Sequence, residues 1–94
     1  MTAAPTPTID ASGVATWIDD PACTGGYQLF GCFDSGYANW STGNVVTVGV
    51  GVTTYDSFAS NWTGGQRIGI CGLDSDNNIV RAPSFSVGYL TKNQ

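Results

Sequence analysis

The chain has 94 residues, 41% of them apolar and only 11% charged, and its seven Asp against three Lys plus Arg give a net charge of -4 with no Glu and no His. Arg67, Arg81 and Lys92 are scattered, so the clustered cations that phosphate binding needs are missing and no nucleic acid is expected as a partner. Without His, the usual general base near neutral pH and the commonest zinc ligand are also missing, which argues against most hydrolytic chemistry.

The length fits one domain over residues 1–94, with 1–7 as an extended N-terminal segment and 91–94 as a C-terminal tail. A chain of this size buries roughly 60–65% of its unfolded surface. Thr, Ser, Asn, Gln and Gly must then cover most of the outside, and a surface so poor in charge repels neighbours weakly. Met1 is followed by Thr2-Ala3-Ala4-Pro5, which is no signal peptide, and no stretch is long and apolar enough for membrane insertion.

Two prolines among Ala and Thr extend the first residues, as a tail or as the lead-in to an edge strand. A first strand is expected over 8–11, then a turn at Ser12-Gly13 and a second strand over 14–18 with Trp17 turned into the core. Asp19-Asp20-Pro21 stops it, because Pro cannot continue a ladder and Asp favours turns. A third strand over 27–33 puts Tyr27, Leu29, Gly31 and Phe33 on one face and Phe30 and Cys32 on the other. An aromatic and a thiol facing outward imply that this side of the sheet is covered too, by a loop or by a partner.

Two polar segments then resemble each other, Tyr37-Ala38-Asn39-Trp40-Ser41-Thr42-Gly43-Asn44 and Phe58-Ala59-Ser60-Asn61-Trp62-Thr63-Gly64-Gly65. Trp40 and Trp62 are read either as caps on the core or, with Tyr37 and Phe30, as candidate binding residues offering platforms to sugar rings or anchors to a protein. Between them, residues 45–55 alternate β-branched residues with Thr and Gly, and no charge occurs. So long a run should bend at Gly49 or Gly51 and serve two strands, and as an edge it would invite pairing with another chain.

Residues 66–73 alternate large and small residues and break into Asp74-Ser75-Asp76-Asn77-Asn78, the pattern of a central strand and its hairpin turn. The Asp-x-Asp-x-Asn spacing is that of a calcium loop, but the following Gly and the distal Glu are missing, so a turn is the expectation. A last strand over 79–90 is interrupted at Pro83. Of the three cysteines, Cys23, Cys32 and Cys71, no two form a metal-binding spacing; either all are free or one pair is bridged, and the bridge to test is Cys32 to Cys71 across the sheet. No helical period, phosphate loop, nucleophile-base pair or metal cluster is found, so neither cofactor nor metal nor catalytic residue is expected.

Seven short strands with closely spaced turns imply an all-β, antiparallel sandwich of immunoglobulin type. The sequence also resembles a fibronectin type III domain over roughly residues 5–87. The matching residues are Trp17 with Asp19-Asp20-Pro21, Gly26-Tyr27-Gln28-Leu29, the spacing of Tyr55 and Ile68, and the closing stretch from Leu73-Asp74-Ser75-Asp76 to Pro83-Ser84-Phe85-Ser86-Val87. Gln66 departs from the pattern, standing where the family has a tyrosine.

Such modules are mostly spacers, display units and binding surfaces, so no enzyme activity is expected. The leading expectation is a structural or interaction module, a decoration or appendage protein of a phage virion, held at the virion surface by a protein surface or neighbouring subunits. It rests on a single-domain chain that opens at Met1 without an export signal and has a low-charge surface. The alternative is a carbohydrate-binding or spacer module of a secreted bacterial enzyme or surface protein, extracellular or at the cell surface, with a glycan as partner.

Overall fold

The computed structural model describes residues 1–32, 45–62 and 64–91, and of Cys32 the backbone only. Its strands are β1 (Thr8–Ile9), β2 (Val14–Thr16), β3 (Gly26–Cys32), β4 (Val45–Val48), β5 (Thr54–Asp56), β6 (Arg67–Leu73) and β7 (Ile79–Phe85). They form two antiparallel sheets, ordered β1-β2-β5 and β4-β3-β6-β7, an arrangement compatible with a β-sandwich. Among the described residues there is no helix.

Two strand limits follow side chains that take over backbone hydrogen bonds. β1 stops before Asp10, whose Oδ1 accepts the N–H groups of Ser12 and Val14 and so starts the turn earlier than the expected end at residue 11. β7 stops at Phe85 and not at residue 90, because the Ser86 hydroxyl accepts the Ile68 N–H and donates to the Gly88 carbonyl. The long valine run divides as its glycines imply, with a turn over 49–53 in which Gly51 has φ 79°.

The core forms where both sheets turn apolar side chains toward each other: Ala15 and Trp17 from one, Tyr27, Leu29, Ile68 and Ile70 from the other. Trp17 meets Tyr27 edge-on at 5.6 Å. Alternation places Gln28, Phe30, Gly69 and Cys71 on the opposite face of the larger sheet, and this face is covered as well, since Phe30 and Cys71 are buried. The two glycines of β6 have packing reasons. A Cβ at Gly69 would collide with the Phe30 ring, which also packs edge-on against Phe85 at 5.8 Å, and one at Gly72 would collide with the Cys23 Sγ.

The register keeps Cys32 and Cys71 apart, against the bridge that the sequence left as one of two possibilities. Cys71 lies opposite Gln28 and is a free, buried thiol, whereas Cys32 lies opposite Arg67. Four positions of strand separate the two cysteines, about 13 Å of rise, against the roughly 7 Å between Cα atoms that a disulfide tolerates.

The N-terminal segment is part of the fold. The Ala4 N–H donates to the Ala82 carbonyl and the Ala82 N–H to the Thr2 carbonyl, both at 2.8 Å, and the Ser84 hydroxyl donates to the Ala4 carbonyl. Residues 2–4 thus run parallel to β7 along its outer edge, after which Pro7 is buried and β1 joins the other sheet. Pro83 falls where the β6–β7 register shifts, so the missing N–H interrupts an edge strand that already carries an irregularity.

Candidate functional site

The three-stranded sheet brings together residues that are far apart in sequence. Thr8 pairs with Thr16 and Thr16 with Thr54, so three exposed threonines stand in a row across β1, β2 and β5. The Trp17 N–H donates to the Thr53 carbonyl at 3.1 Å, which continues the β2–β5 pairing by one position. Side chains alternate along a strand, so Ile18 and Val52 fall on the same outer face, with Thr6 two positions before Thr8. Ile18 is 80% exposed.

All six of these residues are β-branched, none is charged, and each is held stiffly at χ1 on a sheet. A partner that docks on them loses little side-chain freedom from this side. The Thr8 and Thr16 hydroxyls hydrogen-bond to each other at 2.9 Å. Beside them lies a shallow hollow of about 270 Å³, lined by Thr6, Thr8, Thr16, Trp17 and Ile18. The Trp17 indole N–H is buried and has no hydrogen-bond partner among the described residues.

The chemistry-bearing groups are taken up elsewhere by the fold. Asp10, Asp20, Asp56 and Asp74 each accept backbone N–H groups in turns. The Tyr27 hydroxyl donates to Asp19 Oδ1 at 2.6 Å and accepts the Asp20 N–H at 2.6 Å. Burial, reinforced by the Asp19 carboxylate, holds the Tyr27 hydroxyl far above the ordinary phenol value. Arg81 Nε donates to Asp20 Oδ2 at 2.7 Å. The Ala22 N–H and then Arg81 draw the Asp20 pKa down. Bonds from Asn78 do the same for Asp74.

Burial pushes the Cys23 thiol up, with the Asp20 charge adding to it, and lifts Cys71 to about 11, so both are poor nucleophiles. Asp74, which heads the Asp-x-Asp-x-Asn spacing, spends Oδ1 on the N–H groups of Asp76 and Asn78, as a hairpin turn requires. Among the described residues no cluster of His, Cys, Asp or Glu could hold a metal ion.

The candidate binding residues named from sequence do not gather in one place. Tyr37 and Trp40 lie outside the described residues. Trp62 is 4% exposed and packs against Tyr55 at 5.3 Å, and Phe30 is fully buried between Gly69 and Phe85, so neither ring offers an open face. The Thr, Ile and Val face was not singled out in the sequence. Its signal was there as a period of two, Thr6/Thr8, Thr16/Ile18 and Val52/Thr54, but only the strand register shows that the three pairs are neighbours.

Comparison with protein-family models, curated proteins and solved structures gave no match, so what the chain does is argued from its own geometry.

Proposed function

We propose that this protein is a non-enzymatic interaction module of fibronectin type III-like topology, which docks through the uncharged face of its three-stranded sheet and serves as a decoration or appendage on the surface of a phage particle. The topology reading draws on strand order: the first, second and fifth strands form one sheet and the third, sixth and seventh the other, as in immunoglobulin-type sandwiches, with the fourth strand on the larger sheet.

The observation that carries the docking role is the face itself. Six β-branched side chains without a charge stand exposed on a chain of net charge -4. A purely solvated face is ordinarily dressed with charge. The non-enzymatic reading draws on the turn carboxylates and the raised thiols, which the fold uses as hydrogen-bond acceptors and packing groups.

The test is reconstitution. Purified protein is mixed with particles that lack it, and co-sedimentation is measured for the wild type and for Ile18→Lys. Saturable binding that the substitution removes is expected, and protein that stays in the supernatant beside competent particles refutes the reading.

A second reading, a carbohydrate-binding module, has the hollow in its favour, where three threonines stand beside a tryptophan whose N–H finds no acceptor among the described residues. Tryptophan emission that changes on adding a polysaccharide supports it, and silence across a glycan panel removes it.

A further inference from the structure

Two open sheets have four edges, and this molecule treats them differently. The edge of β7 is covered by residues 2–4 and carries a register shift at Pro83. β1 has only two residues and follows Pro7, which has no N–H to offer. β5 has three residues and ends on the charge of Asp56. Each of these is a recognised way to stop a strand from pairing with a stranger.

β4 has none of them. It runs four residues, it is free of charge and proline from Val45 through Tyr55, and among the described residues only β3 pairs with it. An edge left in this state presents a row of N–H and C=O groups that another strand completes.

We propose that the free edge of β4 pairs with β4 of a second copy of this chain, antiparallel about a two-fold axis, so that two four-stranded sheets join into one of eight. Charge permits that occupant at this edge, and the pattern of the strand selects it. Copies of a chain with net charge -4 repel each other, and this edge is where their strands meet with no carboxylate opposite another.

The pattern of the strand is also self-complementary. A two-fold perpendicular to the sheet keeps both cores on one side and therefore pairs residues of like parity. With Thr47 opposite Thr47 of the second copy, Val46 lies opposite Val48, which places valine against valine on the core side and threonine against threonine outside. Val46 and Val48 already pack against the core, and Thr47 is exposed. So short a strand buries well under the ~1,200 Å² of a stable interface, so pairing is weak in free solution and strengthens when copies are held side by side. The proposal uses the opposite sheet from the docking face and stands whether or not the protein decorates a particle.

The test compares Thr47→Cys with Thr16→Cys, which lies on the other sheet, both in a Cys32→Ser background and under mild oxidation. Sedimentation velocity of the wild type and of Thr47→Lys is run alongside, from micromolar to millimolar protein. Expected are a disulfide-linked dimer that forms faster for Thr47→Cys than for Thr16→Cys, concentration-dependent dimerisation of the wild type, and a Thr47→Lys protein that melts like the wild type but stays monomeric. A wild type that is monomeric at every concentration, or a dimer that survives Thr47→Lys, overturns the proposal. The outcome is independent of particle binding, so failure of one does not imply failure of the other.

Discussion

Among the described residues, the lateral side that carries β1 and β7 is laced, and the side that carries β4 and β5 is not. On the first, residues 2–4 bond to β7 before the chain enters β1, the Ser84 hydroxyl holds the Ala4 carbonyl, and Arg81 on β7 reaches Asp20 in the turn after β2. Each tie joins something from one sheet to an edge of the other. On the second side the chain crosses through a turn over 49–53, and Tyr55 against Trp62 supplies the packing below it. Stability is thus anchored where residues 2–4 meet β7, and on the opposite side no strand among the described residues covers the outer, uncharged edge of β4.

If Trp62 is the main support of the open side, its removal should be the most damaging change there. Trp62→Ala is expected to cost about 3–5 kcal/mol, the usual loss for deleting a buried tryptophan. Urea denaturation measures it. A loss below about 1 kcal/mol would return the indole to the surface, and with it the platform role read from sequence.

The laced side is tested by Ala4→Asp, which sets a carboxylate at a buried position. The strap would leave β7 rather than bury the charge, and the three hydrogen bonds it makes, at about 1 kcal/mol each, set an expected loss of about 3 kcal/mol. Exchange of the Ala82 amide, now bonded to Thr2, should accelerate at the same time. An unchanged amide would mean that the lacing does not protect this edge.

Much of the strand framework beneath this contrast was legible in the sequence, for identifiable reasons. Period-two alternation in 66–73 gave β6 its length and both its faces, and the glycines at 49 and 51 divided the valine run. Pro83 marked an edge strand. Long-range register was not legible. Nothing local says that Thr8, Thr16 and Thr54 share a row, that Cys71 faces Gln28 and not Cys32, or that residues 2–4 lie on β7. Trp62 shows the same limit, because a tryptophan in a polar loop reads alike whether its ring points in or out until the strand beside it is placed.

The Asp20–Arg81 tie has a smaller and pH-dependent effect. The folded Asp20 carboxyl lies below its ordinary value near 3.8, so its contribution is complete above that value and is lost as pH falls through the folded value. Asp74 behaves in the same sense. At neutral pH, Asp20→Asn should therefore melt below the wild type. Below about pH 4 the two melting curves should converge, since protonation removes from the wild type what the substitution removed from the variant. A gap that stays constant down to pH 2 would assign the loss to packing at the turn and would leave the strap to lace this side without the ion pair.

The smallest effect on stability belongs to the docking face, which neither side needs in order to fold. Ile18→Lys and Thr16→Lys replace exposed residues, and each should change stability by no more than about 0.5 kcal/mol. Their effect on binding should be large, because a cation set among the five remaining uncharged residues of the face must be desolvated when a partner covers it. Thr24→Lys is exposed too but lies in the turn after β2, away from the face, and serves as the control. Particle binding lost in the first two and kept in the third, with all three melting alike, separates recognition from folding on this sheet. Equal binding by all three would move the contact off the three-stranded sheet and leave the β4 edge as the surface through which this molecule meets its neighbours.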